Sequence, residues 1–177
     1  MSDTKFKILL VEDDEALRFI VKDNLEQNNY DVKIAEDGEI ALDLFNKNSF
    51  DVIVLDVMLP KIDGFQVAET IRKTNEQLPI IFLTARVQKE DIIKGFELGA
   101  VDYIIKPFNF NELISRVRTH IDLKQKTERL LNINIELEEK VEERTQQLRI
   151  ANAELKEDDA MTSKDFDPEN WEKSDED

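Results

Sequence analysis

Short apolar runs alternate with amphipathic helical patterns along residues 5–122. Strict alternation of this kind predicts an α/β fold, with a parallel sheet covered by helices on both faces. The runs are nearly continuous in apolar residues, as expected for strands that are buried on both sides. The predicted strands are Lys5–Val11, Asp31–Ala35, Asp51–Leu55, Pro79–Leu83 and Val101–Ile105.

Apolar residues at helical spacing fill the segments between these runs. In the first helix the residues predicted to face inward are Ala16, Leu17, Ile20, Val21 and Leu25. The second strand is short and polar, so we expect it at an edge of the sheet. The predicted helices are Glu15–Asn28, Gly38–Lys47, Asp63–Lys73, Gln88–Leu98 and one that begins near Asn109.

Polar residues follow four of the five predicted strands. Glu12 and Asp13 come after the first strand, Asp56 after the third, Thr84 after the fourth and Lys106 after the fifth. The carboxyl ends of parallel strands share one edge of the sheet, where ligands bind. We therefore expect one pocket with three acids, a hydroxyl and an ammonium, which suits a carboxylate that is phosphorylated with the help of a divalent metal.

The acids of this pocket indicate a magnesium site. Three neighbouring carboxylates repel one another unless a cation offsets their charge. Oxygen ligands without His or Cys favour Mg²⁺ over zinc, and the chain has no cysteine. The competing interpretation, that acids merely begin a helix, suits Asp14 best. The single histidine, His120, lacks the acidic neighbours of a kinase histidine and is predicted to be structural.

Asp56 is the predicted nucleophile, because an aspartate can form an aspartyl phosphate. Catalysis then consists of positioning and charge stabilisation. Lys106 would neutralise one phosphoryl oxygen, and the Thr84 hydroxyl with the Ala85 backbone N–H another. Pro107 allows a cis peptide bond after Lys106, which would aim the ammonium back at the pocket.

Residues 5–122 resemble the receiver domain of two-component response regulators. The resemblance implies a flavodoxin-like doubly wound sheet of strand order 2-1-3-4-5. The matching stretches are Leu10–Asp14, Leu55–Pro60, Asp63-Gly64, Leu83–Ala85, Gly99–Tyr103 and Lys106–Phe108.

The same resemblance implies the roles of individual residues. Asp56 would accept a phosphoryl group from a phosphohistidine of a sensor histidine kinase or phosphotransfer protein, and Thr84 and Tyr103 would form the switch pair. Glu12 stands where the family more often has Asp. Mg²⁺ would be surrounded by Glu12, Asp13, Asp56 and the Met58 backbone carbonyl.

The fifth helix is predicted to continue as a coiled coil. Residues 109–155 contain no Gly and no Pro, and a helix of that length spans about 70 Å at ~1.5 Å per residue. A heptad frame predicts a parallel homodimer, although a frame through Thr145 and Asn152 competes, and so does a single helix folded back on the receiver. The segment resembles linkers that precede histidine kinase or other output domains. The predicted dimer seam is Leu123, Leu130, Asn134, Leu137, Val141, Leu148 and Leu155.

The charge and hydropathy of the chain argue against binding to nucleic acid and against a membrane span. Residues 157–177 carry 2 basic and 10 acidic groups, so half of the net charge of −16 lies in this segment, and it is predicted to be disordered. Without a basic face we expect no direct nucleic-acid binding. A polar N-terminus and the lack of a long apolar run predict a cytoplasmic protein without a membrane span.

The predicted organisation is a receiver domain over residues 1–122, a coiled-coil helix over 123–156 and an acidic tail over 157–177. The predicted function is a phosphorelay response regulator that signals through dimer or downstream partner contacts, and that catalyses only its own phosphorylation and dephosphorylation. Two alternatives stay open: the receiver portion of a larger hybrid protein, and a structural coiled-coil module with a vestigial receiver. A phosphatase of the haloacid dehalogenase class is not expected. That class needs an Asp as general acid two residues after the nucleophile, and this chain has Met58 there, which cannot transfer protons.

Overall fold

The computed structural model describes residues 5–164, and it describes side chains for residues 5–156. Five parallel strands form one sheet in the order β2-β1-β3-β4-β5. The predicted fold class, strand order and edge position of the second strand are confirmed. In chain order the elements are β1 (Lys7–Val11), α1 (Glu15–Gln27), β2 (Asp31–Ala35), α2 (Gly38–Lys47), β3 (Val52–Leu55), α3 (Gly64–Arg72), β4 (Ile80–Thr84), α4 (Lys89–Glu97), β5 (Asp102–Ile105) and α5 (Phe110–Lys164).

Two apolar clusters cover the two faces of the sheet. Successive side chains of a strand point to opposite faces, so Leu9 and Leu55 belong to one cluster while Ile8 and Val54 belong to the other. The strands β1, β3 and β4 are buried along nearly their whole length because helices cover both sides. These buried central strands give the strand ends a rigid support.

Aspartates begin three of the helices that follow the strands. The side chains of Asp14, Asp37 and Asp63 accept a hydrogen bond from the backbone N–H three residues later, which satisfies a donor that has no partner within the helix. The predicted helix-starting role of Asp14 is therefore seen in the structure. In α1 the inward stripe is narrower than predicted: Val21 and Leu25 are buried, whereas Ile20 is exposed.

The chain divides into two compact units between Thr127 and Glu128. In the first unit α5 buries Leu113, Val117 and Ile121 in one of the two clusters. In the second unit α5 is helical as far as Lys164, so residues 157–164 differ from the predicted disordered tail. They contain no Gly or Pro that would end a helix. The rest of the predicted tail lies outside the described residues.

Among residues 5–164, no helix is both long enough and apolar enough to cross a bilayer.

We expect Ile53→Ala to lower the free energy of unfolding of the protein by about 2–5 kcal/mol, because truncating a buried Ile removes apolar contacts and leaves a cavity. Ile53 is fully buried at the centre of β3. Urea unfolding monitored by circular dichroism measures the change. Val87→Ala is the control, because Val87 is exposed and such a change alters stability by about 0.5 kcal/mol at most. Equal effects of the two substitutions would contradict the assignment of β3 to the core.

Candidate functional site

The carboxyl ends of four strands bring the predicted pocket residues together. Glu12 follows β1, Asp56 follows β3, Thr84 ends β4 and Lys106 follows β5. Glu12 is 1% exposed, Asp56 4% and Thr84 0%. Buried polar side chains are uncommon in proteins unless they are paired, so this edge of the sheet is chemically distinct from the apolar core beneath it.

Lys106 bridges the two buried carboxylates. Its Nζ donates to Glu12 Oε2 and to Asp56 Oδ2, both at 2.6 Å. Burial lowers the pKa of Lys106, but the hydrogen bonds to Asp56 and Glu12 outweigh this and leave the pKa above its ordinary value. Burial raises the pKa of Glu12, and Lys106 opposes that rise. The ammonium therefore compensates two buried charges that would otherwise repel each other.

Backbone groups fix the orientation of both carboxylates. The Asp56 N–H donates to the Val11 carbonyl at 2.9 Å, and the Met58 N–H donates to Asp56 Oδ1 at 2.9 Å. The Asp14 N–H donates to Glu12 Oε1 at 3.3 Å. With one oxygen held by the backbone and the other by Lys106, Asp56 has little rotational freedom, and such preorganisation favours a defined reaction geometry.

Three carboxylates are close enough to share one cation. Glu12, Asp13 and Asp56 each offer an oxygen atom, and these oxygens all lie within 4.8 Å of one another. Asp13 is exposed while the other two are buried, so the cluster opens to solvent on one side. Such hard oxygen donors, together with room for water, fit Mg²⁺. A Met58 thioether is a soft donor that Mg²⁺ does not favour, so any ligand from this residue would have to be its backbone carbonyl.

The predicted switch residues are connected by the segment that follows β4. The Arg86 N–H donates to Thr84 Oγ1 at 3.3 Å, and the Tyr103 hydroxyl donates to the Arg86 carbonyl at 3.1 Å. Burial and the negative charge of Asp91 raise the pKa of Tyr103 to about 12. Ala85 is exposed beside them. Thr84 and Tyr103 are thus both hydrogen-bonded to the backbone of Arg86.

Two further predicted features have clear positions. The Lys106–Pro107 peptide bond is cis. His120 Nε2 lies 3.2 Å from Asp102 Oδ2, in a contact between α5 and β5 rather than in the pocket.

Sequence reasoning missed one pair of residues near this edge, Asp37 and Lys61. Asp37 is buried at the start of α2, and its carboxylate accepts a hydrogen bond from the Lys61 ammonium in the loop between β3 and α3. The only available signal was an Asp-Gly pair at the start of a predicted helix, which gives no indication of the distant lysine.

Comparison with known proteins identifies the class that this fold and site define. The sequence profile of the response regulator receiver domain matches residues 8–118. The chain therefore belongs to the response regulator receiver domain family.

Individual relatives agree with this assignment. The transcriptional regulatory protein RprY of Bacteroides fragilis is 48% identical over 115 residues, which cover 65% of this chain and 49% of that protein. The transcriptional regulatory protein CpxR of Escherichia coli is 48% identical over 112 residues, 63% of this chain and 47% of that protein. The chain thus spans about half the length of these curated relatives.

Solved structures show the same similarity. The non-phosphorylated HemR receiver domain from Leptospira biflexa has a TM-score of 0.63 and 44% identity, and the match covers 66% of this chain and 94% of that one. The receiver domain of the Francisella response regulator 1452 has a TM-score of 0.64 and 39% identity, with 67% of this chain and 98% of that one covered. Both matches cover nearly the whole of a receiver domain.

We expect the protein to lose stability between about pH 10 and pH 12 because of Tyr103. Its pKa is raised from 10.0 to about 12 in the folded state, so the neutral phenol favours folding below pH 10, and this contribution is lost as the pH rises through the folded-state value. Tyr103→Phe lacks the ionisation and should show a shallower fall in urea midpoint across this interval. Lys106 titrates in both proteins and cancels in the comparison. Parallel pH profiles of the two proteins would contradict the assignment.

Proposed function

We propose that the chain is a phosphorelay receiver and that Asp56 is its phosphoacceptor. The observation that carries the proposal is the Lys106 ammonium held at 2.6 Å from both the Glu12 and Asp56 carboxylates. Membership of the receiver family supports the reaction class. The arrangement provides a nucleophile, a cation for phosphoryl oxygens and a cluster of metal ligands within one pocket.

In the proposed reaction an Asp56 carboxylate oxygen attacks phosphorus, and the P–N bond of a phosphohistidine breaks. The donor is a sensor histidine kinase or a phosphotransfer protein. Lys106 then pairs with a phosphoryl oxygen, and the Thr84 hydroxyl and the Ala85 backbone N–H bind another. Because the chain transfers the group only to itself and later releases it by hydrolysis, we regard it as a signalling domain rather than an enzyme.

Mg²⁺ is the proposed cofactor of the reaction. Glu12, Asp13, Asp56 and the Met58 carbonyl would hold it, and the carboxylate cluster supports this choice. When bound, the ion neutralises phosphoryl charge as it develops.

We further propose that Thr84 and Tyr103 form the switch. A phosphoryl dianion on Asp56 attracts the Thr84 hydroxyl, and this would displace the Arg86 N–H that now donates to it. The Tyr103 hydroxyl donates a hydrogen bond to the Arg86 carbonyl, so a movement of Arg86 would also alter the position of the tyrosine. Such a local charge event biases an element with two arrangements.

The proposed output is a change in the contacts of residues 123–156, which would form a parallel homodimer or bind a downstream protein. Leu130, Leu137 and Val141 are 62%, 53% and 64% exposed in the single chain. An exposed stripe at heptad spacing is typical of a coiled-coil seam, in which Asn134 would fix the register. Leu123, Leu148 and Leu155 are also exposed and complete the proposed seam.

A receiver portion of a larger hybrid protein is the second candidate. The relatives with matching receivers are about twice as long as the matched segment and are named as transcriptional regulators. The absence of direct nucleic-acid binding and the cytoplasmic location of this chain stay predictions. A vestigial structural receiver is disfavoured, because the acidic cluster, Thr84 and Lys106 occupy one site.

Acetyl phosphate should add one phosphate to the wild type in the presence of Mg²⁺ and none in EDTA. Asp56→Asn should not be modified, because an amide cannot act as the nucleophile. Intact-mass spectrometry measures both results. Asp43→Asn is a matched control, since Asp43 lies on the surface of α2, and it should be phosphorylated like the wild type. A stoichiometric phosphate on Asp56→Asn would disprove the assignment.

Replacing Leu130 and Leu137 together by Lys should convert a dimer into a monomer, because four ammonium groups would enter the proposed seam. Sedimentation equilibrium measures the molecular mass, and phosphorylation by acetyl phosphate should be retained. Ile135→Lys with Glu139→Lys is the control, because both residues lie outside the seam and should leave the dimer intact. A monomeric wild type at tens of micromolar (an order-of-magnitude choice for a weak coiled coil) would contradict the proposal.

A further inference from the structure

The start of α2 contacts the loop between β3 and α3, which carries Met58. The Lys61 ammonium of this loop donates a hydrogen bond to Asp37 Oδ2 and lies 3.3 Å from Glu39 Oε2. The other Asp37 oxygen, Oδ1, accepts from the Ile40 N–H at 2.8 Å and caps α2. One buried carboxylate thus joins a helix N-terminus to the loop.

The backbone of the two segments is also in close contact. A Cβ added to Gly38 would lie 2.3 Å from the Ile62 carbonyl oxygen, so only glycine allows this approach. Lys61 has a φ of 66°, which L-residues with a Cβ rarely adopt unless the surroundings hold them there. The hydrogen bond from the Ile40 N–H and the pairing with Lys61 lower the pKa of Asp37, so its charge persists.

The Met58 side of the same loop is tied to the phosphoacceptor. The Met58 N–H donates to Asp56 Oδ1 at 2.9 Å, and the Leu59 N–H donates to the Val57 carbonyl at 3.1 Å. A Cβ on Gly64 would lie 2.0 Å from the Asp56 carbonyl oxygen. The two ends of the loop are therefore held in place beside β3 and α3, and its middle part, at Lys61, is held by Asp37.

We infer that Asp37 and Lys61 are positioning residues that hold the β3–α3 loop in the shape in which the Met58 carbonyl joins the carboxylates around Mg²⁺. This inference rests on the proposed function. If the loop samples other conformations, only the fraction of molecules in the binding conformation can bind the ion. The apparent Kd therefore rises as that fraction falls. Loosening the loop should weaken binding even though neither residue is a proposed ligand.

The sign of the effect separates positioning from simple electrostatics. Lys61 is a cation on the loop that would supply the Met58 ligand, and if its charge repelled the ion, removing that charge would by itself strengthen Mg²⁺ binding. Removing the hydrogen bond between Lys61 and Asp37, the tether of the loop, weakens Mg²⁺ binding instead. Lys61→Met keeps an unbranched side chain only one atom shorter while abolishing both the charge and the hydrogen bond to Asp37, so the direction of the change decides between the two effects.

The experiment measures the Mg²⁺ Kd of the full chain by isothermal titration calorimetry, with the metal alone as the probe. We expect Lys61→Met to raise the Kd about threefold to tenfold and Lys61→Arg, which keeps the charge and a donor, to stay within about twofold of the wild type. Lys47→Met is the matched control, because it removes a lysine that pairs with Asp43 on the surface of α2 at 2.8 Å. It should not raise the Kd.

A second measurement tests the tether without metal. Hydrogen–deuterium exchange in EDTA should be faster in the 57–63 segment of Lys61→Met than in the wild type or in Lys47→Met. In the Asp37→Asn background, where Asn still caps α2, Lys61→Met should cause no further rise in Kd, because the pair is already broken.

The outcomes are distinguishable. Unchanged or tighter Mg²⁺ binding by Lys61→Met, beside normal binding by the wild type, would overturn the inference alone. A wild type that binds no Mg²⁺ would overturn the proposed metal site and this inference with it. Weaker binding by Lys61→Met with rescue by Lys61→Arg and faster loop exchange would support it.

Discussion

The ion pair of Lys106 with two buried carboxylates is the interaction on which the site depends. Glu12 and Asp56 come from different strands and are almost fully buried, so without a cation their mutual repulsion would oppose the packing of β1 beside β3. Removing one partner of a buried pair costs about 3–5 kcal/mol in proteins, because a charge is left uncompensated. Packing of the strand ends is therefore linked to this ion pair, and in the proposed function the same three side chains would also bind the metal ion and the phosphoryl group.

Apolar periodicity was sufficient to predict the strands of a parallel sheet and to place most helix bounds within one residue, while the strand order came from the family resemblance. The predicted Asp31–Ala35 and Gly38–Lys47 agree with the structure residue for residue. The fourth strand is shifted by one residue, from the predicted Pro79–Leu83 to Ile80–Thr84. Thr84 is included because its carbonyl accepts a hydrogen bond from the Lys106 N–H, a contact that depends on the neighbouring strand. Ile20 shows the limit in helices, since it has the spacing of an inward residue but is exposed.

The pocket was predictable for a different reason. Parallel topology alone places the residues after β1, β3, β4 and β5 at one edge, so Glu12 and Lys106 meet although 94 residues separate them. The pairing of Asp37 with Lys61 has no such basis, because it joins two loops whose conformations depend on a positive φ and on one glycine. Sequence patterns report periodic elements and their ends, and they do not report how two irregular segments meet.

The helical segment after Thr127 poses a separate physical problem. A solitary helix is marginal in water, and most helical stability in proteins comes from packing an apolar face. The exposed leucines of this segment at heptad spacing therefore favour a partner helix. Two polar residues of the same frame, Asn134 and Arg144, the latter seven residues after Leu137, weaken any seam that forms. An association that is only weakly favourable responds strongly to small free energies, since a coupling of about 1–3 kcal/mol changes an equilibrium by about 5- to 150-fold. In the proposed dimer, the polar seam positions would thus make the output sensitive to the modest energy that one phosphoryl group supplies.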